Sequence, residues 1–375
     1  MRLPVASRTA ALMAASSIVL AACGGSPTAS PAGTDTAAQD GAPASKAVST
    51  YERINAMSGA ARSDELKKCA EDEGELSIYT SNTDIDDLVK EFEDTVDVKV
   101  SVYRGNSESV LQRLLQEQKA KFYGNDVIET NALELNVSQK EGFLSPYESE
   151  LRDKVREEGQ AQGWTATRFN TFVVGWNTNL VKPGQEPKSF EELAEPKWKG
   201  KLSMEVGDVD WFSAQYQDLV KQGRSEQEAT DLFKKIAANS KIAKGHTVQG
   251  ELLSAGQFAV AISSYSHTID KAADKGAPVA WKPATGQPVQ PLAVRPNGIG
   301  LMKTAAHPCA AMAFVDYELT GGQKIFAEKF RVGATAEAAK AIEGLRVVPV
   351  PEQELLDNGK KWDALYEEVT QAGSK

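Results

Sequence analysis

Histidine is scarce in this chain, with three in 375 residues, and cysteine is as scarce. There is no Gly-x-Ser-x-Gly, no His-Glu-x-x-His and no Ser-x-x-Lys, and Gly298-x-Gly300 lacks the rest of a dinucleotide loop. The common hydrolase, zincin and nucleotide-cofactor signatures are therefore missing. Clusters of Lys and Arg are missing too, and the net charge of -10 argues against a nucleic-acid surface. Beyond the first few dozen positions no apolar run reaches the ~20 residues of a spanning helix. What remains is an ordinary globular composition, 41% hydrophobic and 25% charged. The length suggests two or three domain-sized units with a sizeable core.

The N-terminus has its own logic. Arg2 and Arg8 precede a short apolar stretch, Ala10 to Ala22, that ends in Leu20-Ala21-Ala22-Cys23. This is a secretory signal pattern, too short to span. Its last four residues resemble the bacterial lipobox, which implies that Cys23 is acylated and anchors the chain on the extracytoplasmic face of a membrane. Residues 1–22 read as the signal peptide. Residues 23–50, mostly Ser, Pro, Ala, Thr and Gly, read as the lipidated Cys and a disordered tether. Two cysteines remain, Cys69 and Cys309. An exported compartment permits a disulfide, but the sequence alone does not bring the two together.

From about Asp64 the pattern becomes regular. Leu76 to Tyr79 alternates as a strand, Ile85, Leu88, Val89 and Phe92 recur at helical spacing, and Val98 to Val102 is a second strand. Val110, Leu111, Leu114 and Leu115 form a second helix face, and Asp126 to Ile128 a third strand. Strands alternating with helices predict a mainly parallel sheet covered on both faces. Each strand ends in a polar turn, at Thr80-Ser81, Arg104-Asn106 and Glu129-Asn131. Ligands of open α/β sheets sit beyond such strand ends. Thr83 and Ser107 fit N-caps there. The grammar restarts after Arg168, with capping boxes at Ser189 and Ser225 and a buried strand Phe258 to Ile262 leading into Ser263-Ser264-Tyr265-Ser266-His267.

At this point "YTSNTDIDDLVKEFED", "EPKWKGKLSME", "AGQFAVAISSY" and "HPCAAMAFVDYELTGGQK" resemble segments of bacterial ABC-importer solute-binding proteins, in the branch that includes the ferric-iron binders. The resemblance implies an α/β, two-lobed periplasmic-binding-protein-like fold of type 2. Each lobe would be a mainly parallel sheet flanked by helices, with the ligand cleft between lobes and hinge closure on binding. Residues 60–168 plus 292–333 would form lobe one, and residues 169–291 plus 334–375 lobe two. It further implies a monomer that delivers a small molecule or ion to a permease and an ATPase, with no catalysis and no cofactor beyond a metal carried as ligand. A membrane-anchored hydrolase is the weaker alternative.

The resemblance also poses a problem. Iron-binding relatives carry two adjacent tyrosines after this strand, and here only Tyr265 stands near, beside Ser266 and His267. Thr83 and Asn131 stand where relatives carry a histidine and a glutamate. His246, Tyr265 and His267 remain a candidate metal set, one that suits softer divalent ions. "GDVDW" adds Asp208, Asp210 and Trp211, with Glu205 just before. Two carboxylates, an indole and Tyr265 suit an organic cation by charge pairing and cation–π contact. Arg104 suits a carboxylate or phosphonate, so a zwitterion satisfies both. The candidate ligand-binding residues are Thr80, Ser81, Arg104, Asn106, Asn131, Asp208, Asp210, Trp211, His246, Tyr265 and His267. The function expected is a lipid-anchored binding component for an organic cation or zwitterion, with ferric iron or another metal as the alternative.

Overall fold

A computed structural model describes residues 42–335 and 337–374. The signal segment, Cys23 and most of the tether lie outside the described residues. The end of the expected tether does not hold as such: residues 42–50 belong to helix α1 (Ala42–Asn55). Ala47, Tyr51 and Ile54 form an i, i+4, i+7 stripe that is fully buried, and the Tyr51 hydroxyl donates to the Met302 carbonyl at 3.1 Å. The stripe is short, and a run rich in Ser and Ala hides it.

The first α/β unit follows α2 (Gly59–Glu73): β1 (Glu75–Thr80), α3 (Ile85–Thr95), β2 (Lys99–Arg104), α4 (Ser107–Lys119), β3 (Val127–Asn131), α5 (Ala132–Lys140) and β4 (Leu144–Ser145). A long strand, β5 (Thr165–Asn177), then carries the chain into a second unit. That unit comprises α6 (Phe190–Leu193), β6 (Leu202–Glu205), α7 (Val209–Lys221), α8 (Glu226–Ala238), β7 (Ser240–Ala243), α9 (His246–Ser254), β8 (Val260–Tyr265), α10 (Ser266–Asp274) and β9 (Val279–Ala280). The return strand β10 (Leu292–Met302) leads to α11 (Pro308–Glu318), α12 (Gly321–Glu328), β11 (Val332–Gly333), β12 (Val347–Pro349) and α13 (Glu352–Thr370).

The strands order as β2-β1-β3-β10-β5-β8-β6-β7. β1 pairs in parallel with β2 and β3, and β6 in parallel with β7 and β8. The two long strands β5 and β10 lie antiparallel between these parallel blocks. Two separate cores result. One gathers Ile78, Leu88, Phe92 and Leu114 around Met312 and Phe314, and the other gathers Trp211, Phe212 and Phe233 around Trp362 and Tyr366. Ala334 and Ile342 pack in the first, whereas Val350 onward packs in the second.

Local sequence signals mostly act as read. Ser225 and Glu228 close a full capping box on α8. At the first two turns the caps differ from expectation. Asp84 and Asn106, not Thr83 and Ser107, occupy the N-cap positions of α3 and α4, and Asn106 accepts from the Ser109 amide at 2.8 Å. Cys69 and Cys309 form a disulfide between α2 and α11, with Cα atoms 5.7 Å apart. Among the described residues no helix is long and apolar enough to cross a membrane.

Candidate functional site

Parallel strands deliver their C-terminal turns to one edge, and that edge is hollow. A cavity of about 830 Å³ opens there. The ends of β1, β2 and β3, with the turns that follow, supply Ser81, Arg104, Asn106 and Asn131; α9 supplies His246, and the β8–α10 junction Tyr265 and His267. These seven of the eleven sequence-predicted residues therefore share one wall system. The turn expected at Tyr265 is absent: the residue ends β8, and Ser266 begins α10 directly.

The other four do not line the cavity. Thr80 is fully buried beneath it, where its hydroxyl donates to Glu129 at 2.5 Å and accepts from the Asn82 amide. Trp211 is 1% exposed and sits in the second core, with ring centroids 6.0 Å from Phe190 and 5.8 Å from Phe233. It offers no ring face to a ligand. Asp210 pairs with Arg295, and Asp208 accepts from or pairs with His246 Nε2 at 2.9 Å. Both acids stand behind the wall, so the cation pocket built on "GDVDW" does not form.

What the sequence reading missed is the charge of the wall. Arg168, Lys271, Arg295 and Arg331 line the cavity with Arg104 and Lys275, against a single acidic residue, Glu251. Four of these cations are held by acids set behind them. Arg168 pairs with Glu129, Arg295 with Asp210, and Arg331 and Lys271 both with Asp84. Burial acts against the Asp84 carboxylate, but Arg331 and Lys271 outweigh it and hold the group below its ordinary range. Arg331 also donates to Thr83 at 2.9 Å, and Arg295 to the Tyr265 phenol at 2.6 Å. Arg104 has no acidic partner among the described residues. β5 and β10 explain why: Arg168 and Arg295 sit inside long strands rather than at the polar strand ends where cleft residues are expected.

Beside this wall stand three rings in close contact, of which Tyr265 and His267 are stacked and His246 is tilted against Tyr265. The His246 and Tyr265 centroids lie 3.8 Å apart, and those of Tyr265 and His267 5.3 Å apart. Burial, reinforced by Arg331 and Lys271, pushes His267 well below the usual imidazole range, which disfavours its charged form. Burial also disfavours a charged His246, but Asp208 more than offsets it and raises the group above its ordinary value. Asp208 itself is pushed up to about 6, by burial first. Burial likewise raises the Tyr265 phenol, against the opposing field of Arg295.

Two α/β units joined by crossover strands, with a polar cavity where their strand ends meet, define a two-lobed solute-binding protein. Comparison with known proteins agrees. Residues 134–341 match the family model described as bacterial extracellular solute-binding protein, more than half the chain, and the protein belongs to that family. It is 24% identical over 260 residues to iron uptake protein A1 of Synechocystis, covering 65% of this chain and 70% of the relative. It superposes on a ferric binding protein from Campylobacter jejuni with a TM-score of 0.63 at 18% identity, covering 78% of this chain and 99% of the other. The periplasmic binding protein AfuA of Actinobacillus pleuropneumoniae, solved with fructose-6-phosphate, superposes at 0.65 and 21% identity, covering 80% and 99%. The chain is thus an exported binding component of an ABC importer, working with a permease and an ATPase.

Proposed function

We propose that this protein captures a small organic anion, bearing a carboxylate or phosphate, and hands it to its permease while held to the membrane through Cys23. One observation carries the choice of ligand: a chain of net charge -10 lines its cleft with six cationic side chains and one acidic residue. Guanidinium groups already oriented by buried carboxylates lose little freedom when they grip an oxyanion. The free guanidinium of Arg104 would complete the grip from the opposite turn, with Asn131 and Asn297 as neutral hydrogen-bonding partners. The cavity has the size range of an organic solute, far larger than one bare ion requires. The cation preference expected from Asp208, Asp210 and Trp211 is set aside, because none of the three reaches the cavity.

A calorimetric screen of sugar phosphates and di- and tricarboxylates against polyamines and quaternary amines tests this. Arg104→Ala should weaken binding of the preferred anion by about 1.5–3 kcal/mol, or roughly ten- to a hundredfold. Binding of cations and no anion would refute the reading. Iron remains the second reading, favoured by the His246–Tyr265–His267 cluster and by relatives named for iron. Ferric citrate is the informative probe: a phenolate-to-iron colour lost in Tyr265→Phe would support iron.

A further inference from the structure

We propose that Glu205, Asp208 and His246 form a site for a first-row divalent cation, such as zinc, manganese or ferrous iron, in the wall beside the cleft. Each side chain offers a ligand atom within 4.8 Å of the others. They come from the end of β6, the N-cap of α7 and the first turn of α9, three elements that the parallel pairing of β6 and β7 brings to one edge.

Two further observations point to a missing ligand. Asp208 is 2% exposed, and although its Oδ1 pairs with His246 Nε2 at 2.9 Å, its Oδ2 has no hydrogen-bond partner, and neither has the buried Nδ1 of His246. A buried carboxylate oxygen left bare is costly unless something cationic satisfies it. Glu205 is already aimed, because its two oxygens accept from the Gly207 amide at 2.5 Å and the Gly245 amide at 2.7 Å. Such outer hydrogen bonds orient a ligating carboxylate while leaving it further lone pairs. Two carboxylates and one imidazole are a donor set for first-row divalent metals, and three protein ligands leave coordination positions open. His246 lines the cavity, so an open position lies within reach of a solute there.

The site needs neither Tyr265 nor His267, and metal alone is the probe, so its failure is separable from failure of the anion reading. Untagged protein freed of metal with chelator would be titrated calorimetrically with zinc and manganese chloride, without organic solute. We expect one equivalent to bind, with affinity at least about tenfold weaker in Asp208→Asn and in His246→Gln. His307→Gln, outside the cleft, should bind as the parent does. Cobalt(II) should give a visible band from oxygen and nitrogen ligands in the parent that His246→Gln loses. Each variant's unfolding midpoint is measured without metal, and Glu205→Gln replaces any that does not fold. Absence of binding by the parent, or unchanged binding in Asp208→Asn and His246→Gln, overturns the proposal. So does loss confined to Tyr265→Phe.

Discussion

Replacing Trp211 with alanine separates a ligand-facing indole from a core one. The residue is 1% exposed and wedged between Phe190 and Phe233. A buried aromatic removes about 150–250 Å² from water, which at ~25 cal/mol per Å² is about 4–6 kcal/mol. Alanine keeps part of this, and the cavity left behind adds to the loss, so about 3–5 kcal/mol is expected. That is a large share of the ~5–15 kcal/mol typical of a folded domain. Urea unfolding of Trp211→Ala should show it as a lowered midpoint, and Trp211→Phe should recover most of it. Solute affinity of the molecules still folded should be nearly unchanged. A variant with parental stability and lost affinity would refute the burial argument.

Further outcomes test other elements. Opening the Cys69–Cys309 bridge, which spans 240 residues of chain, should destabilise by up to about 5 kcal/mol on the loop-entropy account; free thiols in a non-reducing peptide map would contradict the pairing. Burial raises Glu134 to about 7 and Glu352 to about 8 from an ordinary 4.5. The folded state therefore binds protons the unfolded chain releases: this stability is fully present below about 4.5 and is lost as pH climbs through 7 to 8. Glu352→Gln should flatten that fall when thermal midpoints at low and high pH are compared, and an unchanged slope would count against it. Cys23→Ala should release the protein from membranes, and a variant that still pellets after a high-salt wash would contradict lipid anchoring.

Much of the fold was legible because its signals are local. Apolar spacing in α3 and α4, the Ser225 capping box and the polar turns after β1 to β3 each depend on residues a few positions apart. Parallel pairing then places Ser81, Arg104, Asn106 and Asn131 at one edge, as any such sheet must. The phase of α7 was not legible. Trp211, Phe212, Ser213, Ala214, Gln215 and Tyr216 are all buried, and a helix covered on every side shows no face that tells wall from core. The start of α1 was hidden for a different reason, by a stripe of only three residues within a run rich in Ser and Ala. The charge of the cleft was decided at a larger scale still. Arg168, Arg295 and Arg331 meet only because β5, β10 and the segment before β11 run side by side, and each is held by an acid 39, 85 or 247 positions away in sequence. Sequence determined which residues lie at strand ends. Tertiary structure decided which charges face the solute, because a buried ion pair has two sides and only packing selects the one turned toward the cavity.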